Sequence, residues 1–308
     1  VPPRRVWANT VAAAIGILAL ATSVAVASGS SRLIHAVGAE NEYASVIAQI
    51  GGKYVSVSAI ESNPNADPHA FEASPSVAAE VSSARLVVQN GLGYDSYMNT
   101  IENASPSAAR KVIDVQKLLG LPDSTANPHL WYRSDTMAAV ARAIAADLSA
   151  IDPGERGYFA ANSQRFAASL QPWYAAIRAF AKDYPHVRVA TTEPVGDYLL
   201  SALGAVNLTR WPLQADIMNG VDPAPQNVSY ENSLFANHRV KVLVYNEQVT
   251  DPLTQSFLAS AKHARIPVVA VYETMPAPGY DYESWMLAEV AALRAALADR
   301  RSTTTLLH

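Results

Sequence analysis

Two similar α/β lobes, each a parallel β-sheet flanked by helices and joined to the other by a long rigid backbone helix, are the fold this sequence predicts. Three observations carry it. A strand–helix–strand cycle opens at Arg32, a similar cycle opens after residue 186, and an almost unbroken helical run separates them.

The first cycle reads in order. "RLIHAVGA" is an apolar strand, "NEYASVIAQIGG" an amphipathic helix stopped by glycines, and "KYVSVSAI" a second strand. A strand, a helix and a strand with a glycine stop form a βαβ unit, so the strands pair in parallel. "SPSVAAEVSSA" then starts a helix at Ser-Pro, "RLVVQNG" is a third strand and "KVIDV" a fourth. In the second cycle "VRVATTE", "VKVLVYN" and "IPVVAVYE" are strands, "PVGDYLLSALGA" and "TQSFLASAKHAR" are helices, and "YESWMLAEVAALRAALADR" closes the chain as a helix. Between the cycles, residues 134–149 form one helix and residues 155–183 read as helix almost throughout. At about 1.5 Å per residue the longer run spans about 40 Å, and Pro172 is expected to kink it or to divide it in two. The expected boundaries are an N-terminal lobe over 31–150, a linking helix over 151–184, a C-terminal lobe over 185–300 and a tail over 301–308.

The first thirty residues stand apart. Arg4 and Arg5 precede the uncharged apolar run "VAAAIGILALATSVAVA", and Ala25-Val26-Ala27 has the small-x-small form of a cleavage site. This is the order of an export signal peptide. The alternative is an uncleaved N-terminal membrane anchor, because the run approaches the span of a bilayer. Either way the protein is expected outside the cytoplasm, periplasmic or at the cell surface. The 308 residues contain no cysteine, which removes disulfides, thiolate metal sites, cysteine nucleophiles and thioether lipid attachment, so a lipoprotein is not expected. A net charge of −4, with 16% charged residues and no basic stripe, argues against nucleic acid as a partner.

Ligands of open α/β sheets gather beyond the carboxyl ends of the strands. "VRVATT" runs into Glu193 and "IPVVAVY" into Glu273, so two carboxylates emerge at that face. His69 lies in "NPNADPHAFE", after the second strand, and His129 in "NPHLWY", after the fourth. Prolines before each histidine restrict the backbone and lower the entropy lost on fixing a loop. Phe71, Trp131 and Tyr132 follow as candidates to keep water away. Two imidazoles and two carboxylates across a cleft make a donor set for a divalent transition metal. The competing structural roles are ordinary: a loop histidine at the surface, a glutamate capping the next helix. Asp67 and Glu72 are expected to orient the loop. His35, in mid-strand, is expected in the core or near the cleft, and His186, His238, His263 and His308 lack comparable settings. No GxSxG, GxxxxGK[ST], HExxH or GxGxxG motif occurs, and "NGLGYDS" is a poor phosphate cradle.

The segments "DPHAFEASPS", "LVVQNGLGYDSYM", "NPHLWY", "TTEPVGDYLLSALGA", "VKVLVYNEQVTDPLTQSF" and "IPVVAVYETMPAPGYDYESWM" resemble, in order and spacing, the substrate-binding proteins of zinc/manganese ABC transporters, the cluster 9 or cluster A-I solute-binding proteins. The resemblance covers about Arg32 to Ala298. It implies one metal ion between two lobes bridged by a long helix. His69 and His129 are then the ligands of the first lobe, Glu193 takes a place filled by His or Glu, and Glu273 that of a carboxylate. The His/Asp-rich loop of many zinc-selective members is missing. Two histidines with two glutamates look closer to a manganese or iron site by hardness. The "ETMPAPG…YESWM" ending resembles a zinc branch, and the Irving–Williams order also favours zinc.

The expectation is therefore a monomeric extracytoplasmic protein that is not an enzyme. It captures one divalent ion, Zn²⁺ favoured with Mn²⁺ or Fe²⁺ as alternatives, and delivers it to an ABC permease in the membrane. A metal-dependent hydrolase is the alternative, but it needs an open coordination position and a base, and all four candidates are consumed as ligands. A surface adhesin is the third reading.

Overall fold

Parallel pairing in two separate sheets organises the chain. The computed structural model describes residues 1–3, 33–276 and 278–306, so the N-terminal signal or anchor lies outside the described residues. The first sheet contains β1 (Ile34–Glu40), β2 (Val55–Glu61), β3 (Leu86–Gln89) and β4 (Lys111–Asp114), in the order β2-β1-β3-β4. The second contains β5 (Arg188–Thr191), β6 (Val206–Asn207), β7 (Val242–Asn246) and β8 (Val268–Val271), in the order β6-β5-β7-β8. Every pairing is parallel, and the two orders are the same. Each sheet thus reverses direction of winding beside its first strand, at β1/β3 and at β5/β7, where crevices form beyond the carboxyl ends.

The helices are α1 (Asn41–Gly51), α2 (Pro75–Ser83), α3 (Ser96–Ala104), α4 (Val115–Leu118), α5 (Thr136–Ile151), α6 (Arg156–Ser169), α7 (Gln171–Asp183), α8 (Asp197–Ala202), α9 (Trp211–Met218), α10 (Pro225–Ala236), α11 (Pro252–His263) and α12 (Tyr282–Ala298). The β1–α1 turn is tight. A Cβ on Gly38 would lie 2.4 Å from the Ala44 nitrogen, so no side chain fits there. Asp251 and Asp281 open α11 and α12 with reciprocal capping boxes, which satisfy amide groups that a helix start otherwise leaves open.

Pro172 divides the long run, as its missing N–H requires. The result is α6 and α7, which meet at Leu170. Hydrogen bonding continues across the junction: Leu170 N–H donates to Phe166 O at 3.3 Å and Tyr174 N–H to Leu170 O at 3.1 Å. Five elements went unforeseen, namely α3, α4, α9, α10 and the two-residue β6. They are short or bury little: α4 has four residues, β6 two and α9 eight, α3 buries only Met98 and Ile101, and α10 only Glu231, Leu234 and Phe235, too few to display a period.

One apolar core runs through both lobes. It joins Ile47 and Val88 of the first to Val244 and Val269 of the second through Phe159, Phe166, Trp173, Phe180, Tyr282 and Trp285. Polar contacts cross with it. Tyr132 OH donates to Tyr272 O at 3.0 Å, and Tyr282 OH to Trp131 O at 2.6 Å. After α12 the chain returns to the second sheet, where Thr303 pairs with Val269 along the outer edge of β8.

Glu289 lies fully buried in this core, accepting from Trp285 Nε1 at 3.1 Å and Tyr132 OH at 3.2 Å. Burial pushes its carboxyl up to about 8, against the opposing effect of these two donors. In the unfolded chain a glutamate titrates near 4.3, so the native state binds the proton more tightly. Its contribution to stability is complete below about pH 4 and is lost as pH rises through about 8. The protein should therefore unfold at lower temperature at about pH 8.5 than at about pH 5.5. Glu289→Gln should flatten that slope, as read by circular dichroism melts of both forms.

Candidate metal centre

The carboxyl ends of β2, β4, β5 and β8 deliver the four expected side chains, and three of them meet. One ligating atom each from His69, His129 and Glu273 lies within 4.8 Å of the others. His69 Nε2 is 3.1 Å and His129 Nε2 3.5 Å from the same oxygen, Glu273 Oε2. Ligands at about 2.1 Å from a tetrahedral ion stand about 3.4 Å apart along each edge, so these spacings suit one bound cation.

His129 is fixed from behind. Asn127 Oδ1 accepts from the His129 backbone N–H at 3.0 Å and bonds the ring Nδ1 at 2.7 Å. That contact assigns the proton to Nδ1 and leaves the Nε2 lone pair facing the cleft. Nε2 is buried with no hydrogen-bond partner, an arrangement that costs free energy unless something binds there. Asn127 also reaches the other lobe, donating from Nδ2 to Pro194 O at 2.8 Å and accepting from Tyr198 OH at 2.9 Å through its carbonyl.

His69 sits in a short 3₁₀ turn, Pro68–Ala70, whose first N–H is capped by Asp67 at 2.8 Å. Asp67 thus orients the loop, as expected, whereas Glu72 is exposed. The His69 side chain is 24% exposed, against 0% for His129 and Glu273. It lines two openings, a cavity of about 460 Å³ with Glu61 and Tyr97 and one of about 640 Å³ with Asp222 and Asp251.

Glu273 is the shared partner. Its Oε2 also accepts from Tyr94 OH at 2.9 Å, and its Oε1 from Asn246 Nδ2 at 2.7 Å. Glu193 remains slightly apart from the three. It is buried, with Oε1 accepting from the same Asn246 amide at 3.3 Å and Oε2 without a partner. One asparagine amide therefore bridges both carboxylates of the second lobe.

The charges follow from this geometry. Burial disfavours the charged form of Glu273, but the imidazoles beside it, with the charged His69 at 3.1 Å, prevail and hold its carboxyl below the usual range. Burial also opposes charge on His69, yet Glu273, Glu193 and Asp67 outweigh it and push the imidazole up to about 9. His129, enclosed completely, is held below the usual histidine range by burial. Glu193 is pushed well up, first by burial and then by the Glu273 charge. Without metal, the centre is an ion pair between His69 and Glu273 with a neutral His129 beside it.

Four residues that hold the centre escaped the sequence reading: Tyr94, Asn127, Asn246 and Gln248. Gln248 Oε1 accepts from the backbone N–H groups of Glu273 at 2.6 Å and Thr274 at 2.9 Å. Its Nε2 donates to Ala66 O at 2.9 Å, which ties the His69 loop to the second lobe. Tyr94 comes from "NGLGYDS", where Asp95 accepts from the N–H groups of Asn90 and Gly91 at 2.5 and 3.0 Å. Gly91 takes φ +81°, and a Cβ there would meet Asp114 and Gln116 at 2.8 Å. The segment is a mount for Tyr94. Among the aromatics, Trp131 does pack on His129, with ring centroids 5.4 Å apart. Phe71 instead pairs with Tyr97, and Tyr132 points toward Tyr272 and Glu289. His35 is half-buried at the amino end of β1, bonded to Glu80 and Ser83, away from the centre. His308 lies outside the described residues.

Two like lobes with a histidine- and carboxylate-lined crevice between them define a bilobal metal-binding protein. The family model described as "Zinc-uptake complex component A periplasmic" matches residues 37–296, and the chain belongs to that family. Its members are metal-binding transport components rather than enzymes, which sets the hydrolase alternative aside. The metal ABC transporter substrate-binding lipoprotein FimA of Streptococcus parasanguinis is 23% identical over 82% of this chain and 83% of its own length. The high-affinity zinc uptake system protein ZnuA of Bacillus subtilis is 21% identical over 67% of this chain and 69% of its own. The fold matches a crystal structure of ZnuA with TM-score 0.70 at 20% identity, covering 85% of this chain and 98% of that one. It also matches a manganese-bound periplasmic metal-binding protein from Candidatus Liberibacter asiaticus, with TM-score 0.68 at 17% identity over 85% and 99% of the two chains. FimA is named a lipoprotein, in conflict with the expectation for this chain, whose 308 residues offer no cysteine for a thioether lipid.

Because the Asn246 amide donates to both buried carboxylates, Asn246→Leu should destabilise the metal-free protein by about 2–3 kcal/mol. Urea unfolding at neutral pH measures it, and an unchanged midpoint would remove Asn246 from this role.

Proposed function

We propose that this protein is the extracytoplasmic substrate-binding component of an ABC uptake system, holding one divalent transition-metal ion as its cargo. His69, His129, Glu273 and Glu193 are the ligands, the last turning from Asn246 to complete the set. The meeting of two imidazole nitrogens on one buried carboxylate oxygen carries this reading. Zinc is the favoured ion, since the Irving–Williams order ranks it above manganese and iron at a site of nitrogen and oxygen donors. The lobes are residues 31–150 and 185–300, linked through 151–184. The protein works as a monomer outside the cytoplasm and passes its ion to a membrane permease.

The chemistry of capture follows from the groups present. Zinc and its neighbours require a neutral imidazole and an ionised carboxylate. His129 is already neutral with its lone pair inward. His69 carries a proton that the incoming cation must displace, after which the ion replaces the proton as the partner of Glu273. His69 is also the ligand nearest solvent, on a loop held to the second lobe by Gln248. Release then needs only that loop to loosen.

Protein purified without chelator should contain about one metal ion per chain, and His69→Ala should weaken binding by more than about 100-fold, beyond the 10–100-fold typical of outer contacts. Competition titration against a chromophoric chelator reads the affinity. Full affinity in the variant would overturn the ligand assignment. The sign with pH is also fixed. A group that titrates near 9 in the metal-free protein must lose its proton, so affinity should climb as pH rises toward 9. Binding at neutral pH should release about one proton or more, seen by calorimetry in buffers of different ionisation enthalpy.

A further inference from the structure

A third cavity, of about 710 Å³, opens at the amino ends of β5, β7 and β8, the opposite end of the second sheet from Glu193 and Glu273. Its volume lies in the range of small-molecule sites. The floor is apolar and buried, with Val240 and Ile266. The rim carries Arg188, Lys241, Arg300, His186 and His238, all exposed, and no lining residue is acidic. That concentration of positive charge stands out in a chain of net charge −4.

Arg188 opens β5, and Lys241 immediately precedes the neighbouring strand β7. Lys241 N–H donates to Arg188 O at 2.8 Å, and the next residues, Val189 and Val242, are register partners. Like charges side by side on paired strands are destabilising. Neither side chain has a hydrogen bond or ion pair among the described residues. Around them the backbone is unusual as well. Five non-glycine residues in the described chain adopt positive φ, and four of them gather here: His186, His238, Arg265 and Arg300, at 56°, 49°, 54° and 54°. Side chains are uncommon in that region, where glycine fits without strain. The ends of α10, α11 and α12 favour cations at His238, Arg265 and Arg300. They do not account for the unpaired Arg188 and Lys241 at the strand starts.

We propose that this cavity is an anion-binding site, taking a phosphate monoester with an apolar substituent. The phosphate would sit between Arg188, Lys241 and Arg300, where guanidinium groups offer paired donors to its oxygens. The apolar part would cover Val240 and Ile266. Such a group is carried both by soluble alkyl phosphates and by the headgroup of phosphatidate.

The test uses the full chain, with Arg188→Ala/Lys241→Ala as the variant. Hexyl phosphate, inorganic phosphate and hexanol are titrated by calorimetry, and phosphatidylcholine vesicles with and without phosphatidate are tested by co-sedimentation. Saturable binding of hexyl phosphate, at least about tenfold tighter than inorganic phosphate and at least about tenfold weaker in the variant, supports the site. Co-sedimentation only with phosphatidate vesicles, again lost in the variant, supports it and assigns the lipid source. Metal affinity should be the same in both proteins, because the two sites lie at opposite ends of the strands; this keeps a folding failure distinguishable. Equal binding by variant and parent, equal affinity for inorganic phosphate and hexyl phosphate, or no binding of any probe would overturn the proposal.

Discussion

A single buried carboxylate oxygen, Glu273 Oε2, sets the terms for the centre. A carboxylate fully removed from water is costly unless it is surrounded by donors and positive charge. Here Tyr94 and His69 donate to that oxygen, His129 Nε2 stands 3.5 Å from it, and Asn246 donates to its neighbour. Each of these groups comes from a different strand end or loop, so satisfying one charge fixes the relative placement of four segments. The same convergence leaves the Nε2 lone pair of His129 without a donor. The protein thereby keeps a buried electron pair beside a buried anion, a combination that attracts a cation more than any neutral solute.

Around the centre lies a shell of amides that work in both directions. Asn127 orients His129 and grips Pro194; Gln248 holds Glu273 and grips the loop of His69; Asn41 bonds both the N–H and the carbonyl of Met275 at 2.8 Å. Each connects the two lobes at the site itself. Behind them the aromatic core of Trp173, Tyr282 and Trp285 does so over a larger area.

Much of this was legible in the sequence because it rests on local patterns. Apolar runs of four to seven residues mark the strands, and the rule that ligands collect at strand ends picks out Glu193 and Glu273 without any structure. His69 and His129 stand out by their prolines. The supporting residues were not legible, for a physical reason. Tyr94 reaches Glu273 across 179 positions, and Gln248 reaches Ala66 across 182. Nothing local distinguishes those polar side chains from others of their kind. "NGLGYDS" illustrates the gap: in sequence it is only a poor phosphate cradle, whereas the positive φ angles of Gly91 and Gly93 turn a tyrosine inward. The separation of Glu193 from the other three was equally invisible, because both carboxylates are held by an amide 53 and 27 positions away along the chain.

The core that runs unbroken through both lobes bears on how cargo capture would register energetically. Proteins that close like a jaw bury fresh apolar surface on binding and show a large negative heat-capacity change. Here that surface is already covered between Trp173, Tyr282 and Trp285 before any ion arrives. What stays open to water is the pair of cavities beside His69. Calorimetric signatures of ion binding would then come from proton transfer, ion desolvation and whatever surface the His69 loop covers as it moves.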